Sequence, residues 1–112
     1  MFVVKVNRSG KRVILFPLPD RRKPAGADVP RAGDEILCAL PDGGQAAFRV
    51  AKWAINVAKC EDGGKNCLSD LLRKWFGADA GVAGVAVHAY VAFERKGRTW
   101  TARPATKDGG AL

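Results

Sequence analysis

The amino-acid sequence predicts a mainly β domain carrying one helix: a small, curved, chiefly antiparallel sheet of about six strands in three hairpins, rolled towards a barrel. Three observations carry that expectation. Apolar residues alternate with period two through much of the chain, broken by glycine-containing turns. Only residues 68–77 repeat them at helical spacing. The segment 45–58 changes parity midway, as a strand does where it bulges or bends.

Taken in order, Phe2, Val4 and Val6 alternate with Val3, Lys5 and Asn7, and a second apolar run follows Arg8-Ser9-Gly10-Lys11. A two-residue loop at Ser9-Gly10 sets Val6 against Val13 and Val4 against Leu15. Both faces of this pair are largely apolar, which suits strands enclosed between layers or curled into a barrel. Pro17 and Pro19 end the run, and residues 20–33 form a long loop of the kind that in compact domains is usually functional or disordered. Ile36, Cys38 and Leu40 mark a third strand, and Pro41-Asp42-Gly43-Gly44 a turn. In the fourth strand, 45–58, Phe48 and Val50 occupy even positions but Trp53, Ile55 and Val57 odd ones, so a bulge or bend is expected near Ala51-Lys52.

A polar loop then leads to the helix, where Leu68, Leu71, Leu72, Trp75 and Phe76 fall on one face. Arg73 and Lys74 suit the negative end of the helix dipole, and Gly77 supplies a left-handed stop. A helix of about ten residues is marginal alone, so its apolar face needs the sheet to cover. A glycine-rich connection, 77–84, precedes a strand with Val85, Val87, Val91 and Phe93 inward and His88, Tyr90 and Glu94 on the other face. A Lys96-Gly97 loop pairs Phe93 with Trp100 and Val91 with Ala102. One domain is expected over 1–103, with 104–112 as a flexible tail.

Charge points to a partner. With 19 Lys+Arg against 11 Asp+Glu, the net charge is +8 and the pI about 9.9, a field that attracts polyanions. Nucleic acid comes first, DNA ahead of RNA, and an acidic protein surface second. No apolar run approaches the ~20 residues of a membrane span, and nothing resembles a signal peptide, so a cytoplasmic protein is expected. The basic residues cluster: Arg8, Lys11 and Arg12 at one hairpin tip, Arg95, Lys96 and Arg98 at another, and Arg21, Arg22 and Lys23 in the long loop. Two such ends brought together would make one positive surface, with Trp53, Tyr90 or Trp100 for stacking. The plainer role of these tips is solubility and the guarding of sheet edges. Tyr90 shares a face with Arg103 across the last hairpin, a pair able to read a base edge or clamp a phosphate. Trp75, Phe76, Phe93 and Trp100 lie on apolar stripes and are expected in the core.

Enzymatic chemistry finds little footing. Cys38, Cys60, Cys67 and His88 are zinc-ligand types, but their spacing lacks the tight pairs of structural zinc, and no metal or cofactor is expected. The odd cysteine count suits reduced thiols. His88 is the sole histidine, with no nucleophile or carboxylate tied to it by spacing, and the neighbours Asp34-Glu35 and Glu61-Asp62 diverge on an extended backbone. A non-enzymatic binding domain is expected. The alternative is a small phage or mobile-element protein that docks on an acidic surface of a host protein.

The segment 71–88, carrying Trp75, Phe76, Gly77, Ala80, Gly81 and Gly84 ahead of a strand with His88, resembles part of the small bacterial DNA-binding modules attached to restriction and defence nucleases. The resemblance implies recognition of DNA, modified DNA included, by a freestanding barrel, and transfers no catalytic residue. The barrel expected is of the SH3- or PUA-like kind.

Overall fold

A computed structural model describes residues 1–9, 12–15, 29–51, 55–59, 67–77 and 89–111, with backbone alone at 7–9, 12–14, 55–59 and 67–70. Its strands are β1 (Phe2–Ser9), β2 (Arg12–Leu15), β3 (Glu35–Ala39), β4 (Gln45–Val50), β5 (Ile55–Lys59), β6 (Tyr90–Lys96) and β7 (Thr99–Ala105), with helix α1 (Cys67–Phe76) between β5 and β6. They close into a barrel in the order β1-β2-β5-β4-β3-β7-β6, and β6 returns to β1 through Phe2↔Phe93 and Val4↔Val91. Among the described residues every ladder is antiparallel except β3–β7, where Cys38↔Trp100 and Ala39↔Thr101 run parallel. The expected mainly β, barrel-like fold with one helix is the fold found.

Two details differ from the sequence expectation. The segment 45–58 is not one bent strand but a reversal, with β4 and β5 antiparallel and Phe48↔Val57 and Val50↔Ile55 paired. Directly opposed residues share a face, so even positions on β4 match odd positions on β5 and the parity change is explained. The bulge lies between Ala47 and Phe48. At the two outer hairpins the register is moved by two residues: Ser9↔Arg12 is the last pair of β1–β2, and Lys96↔Thr99 that of β6–β7. Phe93 therefore opposes Ala102, and Trp100 opposes Arg95. The second connection, Gly97-Arg98, places glycine first. Gly97 has φ +63° and no described non-glycine residue has a positive φ, the pattern of a type II′ turn, which takes glycine at its first position. A shift of two keeps every side chain on its face, so the inward set was unaffected.

Inside the barrel Val4, Val6, Leu15, Cys38, Phe48, Val50, Leu72, Val91 and Phe93 are each less than 2% exposed. Phe93 is the hub: its ring stacks on Phe2 at 5.1 Å and meets Phe48 edge-on at 5.1 Å. Among the described residues β2 joins β5 through the pair Leu15↔Ile55. Helix α1 packs on those same two strands, burying Leu72 and half-burying Leu71, Trp75 and Phe76 against the core. The amphipathic helix thus covers the junction of β2 and β5. Gly77, at φ +102°, ends it and donates its N–H to the Arg73 carbonyl at 2.9 Å. No helix among the described residues is long and apolar enough to cross a membrane.

The segment expected as a flexible tail is placed differently. β7 continues through Pro104 to Ala105, and Ala111 bridges back to Ala105. The chain between them folds over the outer face of the sheet at Val3 of β1, and on that face Ala92 of β6 and Ala105 of β7 are 1% and 0% exposed. Polar composition suggested fraying; what holds the segment is Arg103, whose Nη2 donates to the Gly109 carbonyl at 2.7 Å, and the burial of Gly109 beside Met1 and Val3. Gly109 has φ +86°, and a Cβ there would stand 3.2 Å from Val3 Cγ2 and closer still to Met1 Cε. Gly109→Ala should cost about 1–2 kcal/mol of conformational strain. It should also free the strap, seen as lost hydrogen-exchange protection at Gly110 with the β6–β7 amides unchanged.

Candidate functional site

Strand direction decides which basic clusters can meet. β1 and β6 are antiparallel neighbours, so the hairpin tips at their C-terminal ends project from opposite ends of the barrel. From Ser9 back to the Lys5↔Tyr90 pair and on to Lys96 is roughly 30 Å at about 3.3 Å per residue, close to the longest dimension of 33 Å. Arg8 and Arg12 therefore stand at the far end from Arg95, Lys96 and Arg98, and the two tips form no common surface. Tyr90 also lies towards that far end, half-buried between Lys5 and Ala105 in the ladder. Arg103 is diagonal to it on the same face, but its guanidinium is engaged by Gly109 and by Met1 Sδ at 3.5 Å, with Nη1 buried and unpartnered. Arg103 is a strut for the strap. Lys11, Arg21, Arg22, Lys23, Trp53, Cys60 and His88 lie outside the described residues.

What gathers around Arg95 is a different set. β3 starts and β6 ends at the same barrel mouth, and an open groove of about 400 Å³ lies there. Its apolar wall is Val29, Ile36 and Trp100, the last half-buried with its ring edge-on to Phe2 at 6.1 Å. Its charged rim is Arg31, Arg95, Asp34 and Glu35. Arg95 and Trp100, opposed across the β6–β7 ladder, share the inner face and reach the mouth together. Arg95 Nε donates to the Gly97 carbonyl at 2.9 Å, which fixes the guanidinium near the hairpin tip. Lys96 and Arg98 are exposed beside it.

Arg31 is held by backbone. Asp34 Oδ2 accepts the Arg31 N–H at 2.9 Å, Gly33 at φ +93° donates its N–H to the Val50 carbonyl at 2.8 Å, and the Val50 N–H returns to the Asp34 carbonyl at 2.9 Å. A tight turn is thereby pinned to the end of β4, with its cation at the groove. Leu15 and Val29, the described residues flanking the Arg21-Arg22-Lys23 connection, belong to this same end of the barrel, since Leu15 pairs with Ile55 and Val29 lines the groove. Sequence reasoning missed Arg31 because it sits alone between Pro30 and Gly33. It set Glu35, the first residue of β3, aside as one of two adjacent carboxylates whose side chains diverge.

At the far end, Lys74 Nζ donates to Asp42 Oδ2 and joins α1 to the β3–β4 turn. That bond, with the Gly44 N–H on Asp42 Oδ1, lowers the Asp42 carboxyl below its usual range. Both side chains are exposed, so the pair orients the helix and adds little stability.

Cys38 is fully buried, and burial pushes its thiol up to about 12. Below pH 9.0 both folded and unfolded chains keep this proton; above it only the unfolded chain loses it, so stability falls as pH rises towards 12. Relative to Cys38→Ala, the parent protein should lose at most about 1.4 kcal/mol per pH unit in that window, measured by urea unfolding from pH 8.5 to 11. Cys67, expected in a loop, is the first residue of α1.

No protein-family model, curated protein or solved structure matches the chain.

Proposed function

We propose that this chain is a non-enzymatic nucleic-acid-binding domain whose phosphate contacts centre on the mouth formed by Arg31, Arg95, Lys96 and Arg98, with duplex DNA ahead of RNA. The observation that supports it is the position of four cations, from two separate stretches of sequence, at one end of a closed barrel, with Arg31 and Arg95 lining a groove that Trp100 helps to wall. A net charge of +8 supplies the long-range attraction. The resemblance of residues 71–88 to modules of restriction and defence nucleases favours DNA and a bacterial, cytoplasmic setting.

The decisive experiment is fluorescence anisotropy of labelled duplex DNA, duplex RNA and single strands across a salt series. Four phosphate contacts predict a slope of log K on log salt of about −3.6 for duplex DNA. Absence of binding to every one of these at low salt would overturn the proposal and turn the search towards an acidic host-protein surface.

A further inference from the structure

The groove at the mouth gathers hydrogen-bond donors that no acceptor among the described residues receives. The Arg31 guanidinium has no partner among those residues, and Arg95 engages only its Nε, on the Gly97 carbonyl. The Trp100 indole N–H on the same wall is likewise without a partner among them. The two carboxylates nearby are otherwise placed. Asp34 Oδ2 accepts the Arg31 backbone N–H, and Glu35 stands on the outer face of β3 opposite Arg49, the side on which Leu37 is exposed. Two guanidiniums and an indole N–H suit one compact anion rich in acceptors. The rest of that wall is apolar, Val29, Ile36 and the Trp100 ring, which suits a flat, weakly polar group attached to the anion.

Nucleic acid offers phosphate in two forms. A diester inside a strand has two free oxygens and one negative charge, and the strand continues on both sides of it. A terminal monoester has three free oxygens and a charge of about −1.5 to −2 at pH 7, and its nucleotide enters a groove from one side only. A groove of about 400 Å³ lies at the small end of ligand sites, the scale of one nucleotide and far narrower than a duplex.

We infer that the barrel mouth holds the terminal phosphomonoester of a nucleotide, at a strand end or free, with its oxygens on the Arg31 and Arg95 guanidiniums. Its sugar and base lie along Val29, Ile36 and Trp100, where the indole N–H meets an acceptor of the nucleotide. The inference rests on the proposed role of those two arginines as phosphate holders. It divides the mouth in two: Lys96 and Arg98, exposed at the hairpin tip, follow a duplex backbone, and the groove beside them takes an end.

The test compares, by fluorescence anisotropy with the full chain, a duplex carrying one unpaired terminal nucleotide that ends in a phosphate, in the methyl ester of that phosphate, or in a hydroxyl, at the 5′ and 3′ ends separately. At one end or the other the phosphate should bind at least about tenfold more tightly than its two counterparts, and Arg31→Gln with Arg95→Gln should bring the three within about twofold of one another. Titration of adenosine 5′-monophosphate and of inorganic phosphate, followed at the Trp100 indole N–H by NMR and assigned through Trp100→Phe, separates the sources. A gain at an end assigns the site to a strand; a Trp100 shift with the free nucleotide and no such gain assigns it to a soluble ligand. Inorganic phosphate binding as tightly as the nucleotide, or an end gain that survives the two arginine replacements, would overturn the inference. So would equal affinities for the three ends together with an unmoved Trp100 resonance. If salt-dependent binding to a blunt, unphosphorylated duplex persists in that case, only the terminal site fails; if it is absent too, the nucleic-acid proposal falls with it.

Discussion

Phe93→Ala is expected to lower the unfolding free energy by about 4 kcal/mol, the largest effect of any single substitution considered. Phe93 is fully buried at the middle of β6, and its ring is shared between Phe2 on the adjacent strand and Phe48 on β4, which lies elsewhere in the ring order. Truncation forfeits the transfer energy of the ring, leaves a cavity that a closed barrel cannot readily collapse, and removes two aromatic pairs at once. A domain of this size has about 5–15 kcal/mol in total, so a third or more of the margin is at stake. Urea midpoints at neutral pH measure it. Leu37→Ala is the control: its side chain points out of β3 and is 58% exposed, and its change should stay within about 0.5 kcal/mol. Equal midpoints for the two variants would mean that the barrel is not organised around this ring.

The second large effect concerns binding. Replacing Arg95, Lys96 and Arg98 together with alanine should flatten the salt slope for duplex DNA by about 2.7 and weaken binding several hundredfold near 0.1 M salt, at about 0.9 counterions per phosphate contact. Replacing Arg8 and Arg12 should leave the slope unchanged, because their strands end at the opposite pole of the barrel. This contrast is sharper than loss of binding alone. Both variants remove positive charge, so a purely non-specific field would respond to each in proportion to the charge removed. An interface at the mouth responds only to the first.

How much of this was legible beforehand depended on whether the controlling physics was local. Alternation assigned Val91 and Phe93 to the inside and put Phe2, Val4 and Val6 on one face of β1 without deciding which face turns inward, and helical spacing placed α1 to within a residue of its observed start. The hairpin registers were off by two because Ser9-Gly10 and Gly10-Lys11 are both plausible two-residue loops; the choice turns on which loop position carries the positive φ, here Gly97 at the first. The reversal between β4 and β5 reads in the sequence as a bend because a parity change has two causes, and only pairing tells them apart. Arg31 carried no local signal, and Glu35 only that of a carboxylate next to Asp34. Their meeting with Arg95 and Trp100 follows from the parallel β3–β7 ladder, a contact between residues far apart in sequence that no local pattern encodes.

That ladder and the β1–β6 ladder together have a consequence for how the protein comes into being. Residues 2–5 find their partners at 90–93, and residues 38–39 theirs at 100–101. On a ribosome, which releases the chain from its N-terminus, the hairpins β1–β2 and β3–β4–β5 emerge first, each with an open edge and an apolar face still facing water. Neither edge is satisfied until the final hairpin arrives and slots between β1 and β3. Ring closure is therefore a late event in biosynthesis, slow because its contacts span most of the chain. The wedge strands β6 and β7 act as its keystone, and a nascent chain stalled before residue 90 would present its whole hydrophobic lining to chaperones.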